Sequence, residues 1–317
     1  MMNPELVFNN KSAVTQNAIA LARRRTRKIR ERIIESTLFF AAFSAVGTTV
    51  AIAAILVIES IPFFQSVPIS EFLTNTEWSP LFANPQYGIL PLLAGTLTTT
   101  LVALGVAIPL GTTIAIYLSE FAPHWVRETV KPFLELLGAV PTVVFGYFAL
   151  TLVTPFLQDT ILPGLPGFNM LSAGLVMGIM IIPYVSSVSE DAMRAVPMQM
   201  REGSYAMGAT RFQTATRVVV PSAFSGISAA YILGISRAVG ETMVVTVAAG
   251  QQPNLTFNPM ESAATITSYI VQVSLGDLPH GSIGYQTIFA AGLTLMLITL
   301  LFNVIGFYLS RHYREVY

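Results

Sequence analysis

The stretch Gly234-Ile235-Ser236-Arg237-Ala238-Val239-Gly240-Glu241-Thr242-Met243-Val244-Val245-Thr246 sets an arginine and a glutamate four residues apart inside an apolar run. On a helix this spacing places Arg237 and Glu241 one turn apart on one face. The residues around them are too apolar for a water-facing helix, so the pair is expected at bilayer depth. An ionisable group there costs roughly 2.5–3.5 kcal/mol on insertion scales and marks a functional site by default. Ser236 and Thr242 add hydroxyls, and Gly240 opens space. A guanidinium offers a fork of donors that suits a tetrahedral oxyanion. The same spacing also fits an ion pair that only locks helices together, although a pair buried for that purpose is a weak source of stability.

Working outward, the chain is 53% hydrophobic and 11% charged, against roughly 25% charged in soluble domains. The reading is all-α, a polytopic membrane protein with six spans at 33–58, 89–118, 131–156, 170–189, 218–249 and 284–310. Each has the roughly 20 residues needed to cross the hydrocarbon. Of the seventeen Lys and Arg residues, all but Arg237 fall in the tail 1–32, the loops 119–130 and 190–217, the span edge at Lys131, and the end 311–317. The loops 59–88, 157–169 and 250–283 carry Glu59, Glu71, Glu77, Asp159, Glu261 and Asp277 but no base. That asymmetry puts both termini in the cytoplasm.

The domain reading is a cytoplasmic basic tail at 1–32, a first helix and outer loop at 33–88, a transmembrane core at 89–310, and a cytoplasmic end at 311–317. The run from Arg23 to Arg32 reads as an orientation signal rather than a nucleic-acid contact. The first apolar run lacks a small-residue cleavage site and is expected to be a retained anchor.

The chain has no cysteine, and His124, His280 and His312 stand far apart, so neither a metal cluster nor a catalytic triad is visible. None of Lys11, Lys28 and Lys131 follows a glycine, so the sequence holds no phosphate-cradling loop of the Gly-Lys-Ser/Thr kind. No Ser-Lys dyad or paired aspartates stand at membrane depth, which disfavours an intramembrane enzyme. In the outer loop 250–283, Asn258, Pro259 and Glu261 predict a short helix capped at Asn258, with Met260, Ala263, Ala264, Ile266, Ile270 and Val271 as its apolar body.

The loop 190–217 contains Arg201-Glu202-Gly203-Ser204-Tyr205-Ala206-Met207-Gly208-Ala209-Thr210-Arg211. Pro197 breaks a first helical segment. Glu202 to Met207 form a second, which Gly208 ends as a C-cap. Two short helices joined at a proline make a knob that a partner could grip.

Glu202, Gly208 and Pro221 resemble the loop by which permease subunits of ATP-binding-cassette importers dock into a cytoplasmic ATPase. Gly203 and Ser204 stand where that family usually has two alanines. The run Arg237-Ala238-Val239-Gly240-Glu241-Thr242-Met243 is similar to permease subunits of high-affinity phosphate importers, and to the C subunit more than the A subunit. So are Glu77–Phe82 with Tyr87–Thr96, and Leu137–Tyr147. The likeness covers about residues 30–310. It implies a pore shared with an A-type permease subunit. It further implies two copies of a cytoplasmic ATPase holding ATP-Mg, and a periplasmic or lipid-anchored phosphate-binding protein. No cofactor is implied for this chain. The family's transport-essential Arg and Glu map onto Arg237 and Glu241. Glu241 would orient Arg237 between anions. Two alternatives stay open: the same architecture serving sulfate or molybdate, and a secondary transporter that needs no ATPase.

Overall fold

The computed structural model describes the backbone of residues 4–279 and 281–312, and the side chains of residues 28, 30–279, 281–308 and 310. The run from Arg23 to Arg27, His280, His312 and the 311–317 end lie outside the described side chains. Among the described residues the chain is helical, and Trp78 and Tyr87 form an isolated antiparallel bridge.

Fourteen helices follow in order. They are α1 (Pro4–Ser66), α2 (Ile69–Thr74), α3 (Leu90–Ile116), α4 (His124–Ala139), α5 (Thr142–Phe148), α6 (Thr154–Thr160) and α7 (Met170–Arg194). Next come α8 (Met198–Ala206), α9 (Arg211–Thr214), α10 (Val220–Ser222), α11 (Phe224–Val239), α12 (Met243–Ala248), α13 (Ile266–Ser274) and α14 (Ile283–His312). Turns of π-helix at Tyr117–Phe121, Ala149–Val153 and Ala215–Val219 extend or join them.

The chain divides into one unit at 1–55 and a second at 56–317. In the first, Phe39, Phe40 and Phe43 are exposed, as lipid-facing side chains must be. Thr37, Thr48 and Thr49 satisfy their hydroxyls on carbonyls four residues back, a route open to a hydroxyl without water.

Five segments are long and apolar enough to span a membrane, at Arg30–Ser66, Leu90–Phe121, Thr142–Thr160, Met170–Arg194 and Ile283–Tyr308. A sixth arises if Arg211–Ser222 and Phe224–Val239, bent by 73° from one another, are one broken span. Counted so, the spans number six, with four changes from the sequence reading. The first helix continues to Ser66, inside the stretch read as outer loop. The third span starts at Thr142 rather than 131, because Val140-Pro141 stops α4 and Pro141 has no N–H to continue the ladder. Lys131 is consequently not a span edge; it sits within α4, pinned to Glu190 at 2.7 Å and Asp191 at 2.9 Å. The fifth span, 218–249, is not continuous: it bends before Phe224 and opens at Gly240–Thr242. In the outer loop the helix begins at Ile266, capped by Thr265 with Ser268, not at Asn258. Asn258 instead closes a tight turn, accepting from the Met260 N–H, and the Thr256 and Asn258 hydrogen bonds hold the Glu261 carboxyl below the usual range.

The core of the second unit is a seam between α3 and α7. Gly174 and Gly178 lie four apart on α7, the spacing that lets two backbones approach closely. A Cβ at Gly178 would stand 2.8 Å from the Ala103 carbonyl oxygen and 2.8 Å from Val106 Cβ. Gly178→Ala is therefore expected to destabilise the protein by about 1–3 kcal/mol. The melting temperature in detergent checks this, and an unchanged value refutes it. Ala103, Ala107, Met177, Met180, Ile181 and Val185 fill the seam, and Val244, Val245 and Ala248 of α12 close it. At one end of the unit a cluster of rings, Phe63, Phe72, Trp78 and Tyr269, packs edge to face against α13. At the other end Met193, Val196, Val219 and Ile227 gather the roots of the 190–217 segment.

Candidate functional site

Arg237 occupies the last turn of α11. Gly240, the cap, is a poor helix former, and the helix ends with the Gly240 N–H on the Ser236 carbonyl at 3.2 Å. Glu241 therefore does not continue α11, and the expected one-face pairing with Arg237 fails. Glu241 caps the next helix instead. Its Oε1 accepts from the N–H groups of Met243 at 3.2 Å and Val244 at 3.4 Å. A carboxylate satisfies exposed donors and complements the helix dipole at such a position. Glu241 is 7% exposed, and its own carbonyl accepts from Thr267 Oγ1 at 2.7 Å. Among the described residues, no ion pair joins Arg237 to Glu241.

Arg237 has a different neighbour. Its Cζ lies 4.7 Å from the centroid of the Tyr184 ring on α7. The Arg237 Nε is buried without a hydrogen-bond partner. The Tyr184 hydroxyl reaches the Gly138 carbonyl, at the end of α4, at 3.4 Å. Beyond that break α5 packs on α12, so closely that a Cβ on Gly146 would meet Val247 Cβ at 3.0 Å. Two helix breaks, at Val140-Pro141 just before the third span and at Gly240–Thr242 beyond α11, thus come together around one guanidinium.

Of the other two path residues, Thr242 stays at the break, donating to the Gly240 carbonyl at 3.3 Å. Ser236 turns away and donates to Asn303 Oδ1 of α14 at 3.2 Å. Tyr184, Gly138 and Thr267 were not legible as site residues. An aromatic residue in an apolar helix has no spacing signal of its own.

The 190–217 segment has the two helices joined at Pro197, with shifted bounds: α7 runs on to Arg194, and the second helix starts at Met198 rather than Glu202 and ends at Ala206. Gly208, at φ +83°, closes α8: its N–H bonds the Tyr205 carbonyl at 2.9 Å, and that of Ala209 bonds the Ser204 carbonyl at 3.2 Å. This paired closure favours glycine. Thr210 then caps α9 in a reciprocal box with Gln213, and Arg211 opens that helix. Glu202, Gly203, Ala206, Met207 and Gly208 are exposed, and a Cβ on Gly203 would meet open space. Ser204 shares a hydroxyl contact with Thr214 at 2.9 Å.

Arg201 does not join the exposed face. Its Nη2 and Nε reach the two oxygens of Glu120 at 2.8 Å and 3.2 Å, and its fork also donates to the carbonyls of Val196 and Met193 at 2.6 Å and 2.9 Å. Arg201 is a clamp holding α8 to the ends of α3 and α7. Glu120 is its partner, and no signal in the sequence links two residues so far apart.

Residues 107–315 match the family described as "Binding-protein-dependent transport system inner membrane component". The chain belongs to this family. It is an ABC-transporter permease, a multi-pass protein of the inner membrane. The permease is 34% identical over 306 residues to the "Probable ABC transporter permease protein YqgH" of Bacillus subtilis, covering 96% of this chain and 98% of the relative. It is 36% identical to the "Phosphate transport system permease protein PstC" of Haemophilus influenzae, covering 68% of this chain and 75% of that protein. Its fold is that of the permease in "a bacterial ABC transporter involved in the import of the acidic polysaccharide alginate". There the TM-score is 0.61 at 16% identity, over 91% of this permease and all of the other chain.

Proposed function

We propose that this permease carries inorganic phosphate into the cell by alternating access, as one half of a pore completed by an A-type permease subunit. An external phosphate-binding protein delivers the anion. Two copies of a cytoplasmic ATPase bind ATP-Mg, and one of them grips α8 and its end through the exposed residues between Glu202 and Gly208. Both termini face the cytoplasm in this reading, which the placement of basic residues supports. ATP touches no residue of this chain.

The observation that carries the reading is Arg237, a guanidinium without an ion-pair partner among the described residues, set near the helix breaks at Val140-Pro141 and Gly240–Thr242. Such a group attracts a dianion and offsets part of its desolvation. Glu241 holds α12 in place beside it. The resemblance to phosphate permeases favours phosphate among the oxyanions. Uptake of labelled phosphate by the reconstituted complex tests this. A tenfold excess of sulfate or molybdate is expected to leave uptake unchanged, and strong competition by either reassigns the substrate.

A further inference from the structure

Resting on the reading of Arg237 as the anion's contact, we propose that Tyr184 is a positioning residue that holds the Arg237 guanidinium by its face and leaves its donors free for the anion. The donors of a guanidinium all lie in its plane. A carboxylate partner would occupy two of them and compete with an arriving phosphate. An aromatic ring attracts the cation through its face and consumes none. The geometry has this second form: Cζ stands 4.7 Å from the ring centroid, while Nε is buried with no partner. The acid one turn onward is engaged elsewhere, on the N–H groups of Met243 and Val244.

Tyr184 is itself well fixed. It lies on α7, whose neighbours Val185 and Ile181 are buried in the seam with α3. Its hydroxyl meets the Gly138 carbonyl at 3.4 Å, so the ring that orients the cation is also tied to the end of α4. Arg237 is thereby located relative to both interruptions without surrendering a donor to either.

The test uses the complete complex, with its ATPase and binding protein, in proteoliposomes. Tyr184 is replaced by Phe and then by mono-, di- and trifluorinated Phe. Fluorine drains the ring face of electron density while nearly preserving shape, so folding is not at stake. The Phe form is expected to keep at least half of wild-type phosphate uptake. Uptake should then fall stepwise, about tenfold across the series, the scale of a partly desolvated cation–ring contact. A flat series overturns the proposal, as does an assembled Phe form without uptake. Arg237→Gln is run alongside. If it is inactive and the series is flat, only the role of Tyr184 is lost. If it is active, the underlying reading falls instead.

Discussion

Arg237→Gln is expected to reduce phosphate uptake about a hundredfold in cells without another phosphate importer, the scale on which truncating one partner of a desolvated, hydrogen-bonded charge pair acts. Glutamine keeps much of the length and a pair of donors but loses the charge and the fork. It also loses the contact with the Tyr184 ring, 4.7 Å from Cζ in the native protein. Arg237→Lys should fall between the two, because an ammonium keeps the charge but neither the planar fork nor the stacking. Folding should survive both changes, since no described residue depends on Arg237 for a hydrogen bond or ion pair. Uptake at the normal rate in the Gln variant, with the permease present at normal abundance, refutes the role.

Arg201→Ala should uncouple transport and loosen the fold at once. The native pair is close and desolvated, with the Arg201 and Glu120 side chains 11% and 5% exposed. Removing the arginine leaves the buried Glu120 carboxylate without its cation, with only the Ser119 hydroxyl at 2.8 Å, and takes a donor from the Val196 and Met193 carbonyls, a loss of about 3–5 kcal/mol where such pairs have been broken. Uptake by the reconstituted complex should fall below a tenth, and the melting temperature should drop. Combining Arg201→Met with Glu120→Leu should recover much of the melting temperature, since an apolar replacement of a buried pair is often neutral. It should not recover uptake in full, because Met cannot hold the carbonyls of Val196 and Met193. A single Ala variant that melts and transports normally would show that α8 needs no clamp.

How much of this was legible varies by the physics involved. Spans were visible because hydrocarbon demands about 20 apolar residues whatever they pack against. Gly208 was visible because a left-handed backbone, here φ +83°, singles out glycine. The breaks were not. Val140-Pro141 sits within a run whose hydrophobicity hardly changes, and a proline in such a run ends the helix only when no neighbour repairs the lost hydrogen bond. Glu241 was misplaced for a related reason. The four-residue spacing from Arg237 implies a shared face only if the helix persists through Gly240, and the carboxylate gains more by capping α12. The outer helix was displaced because Asn258 and Thr265 both carry capping chemistry, and only the packing of Ile266 and Tyr269 against the aromatic cluster decides between them. The partners of Arg201 and Arg237, Glu120 and Tyr184, come from distant spans that only the folded chain brings near.

The Arg201 fork also determines what kind of machine part α8 is. Were the helix tethered only through Ala209 and Thr210, a pull on it would stretch a strap and be dissipated there. Bolted instead to Glu120, Met193 and Val196, it turns as a plate. Under the alternating access proposed above, torque applied at its outer face would reach the frame of α3 and α7 directly, and the 73° bend before Phe224 would be the elbow that converts that rotation into tilt.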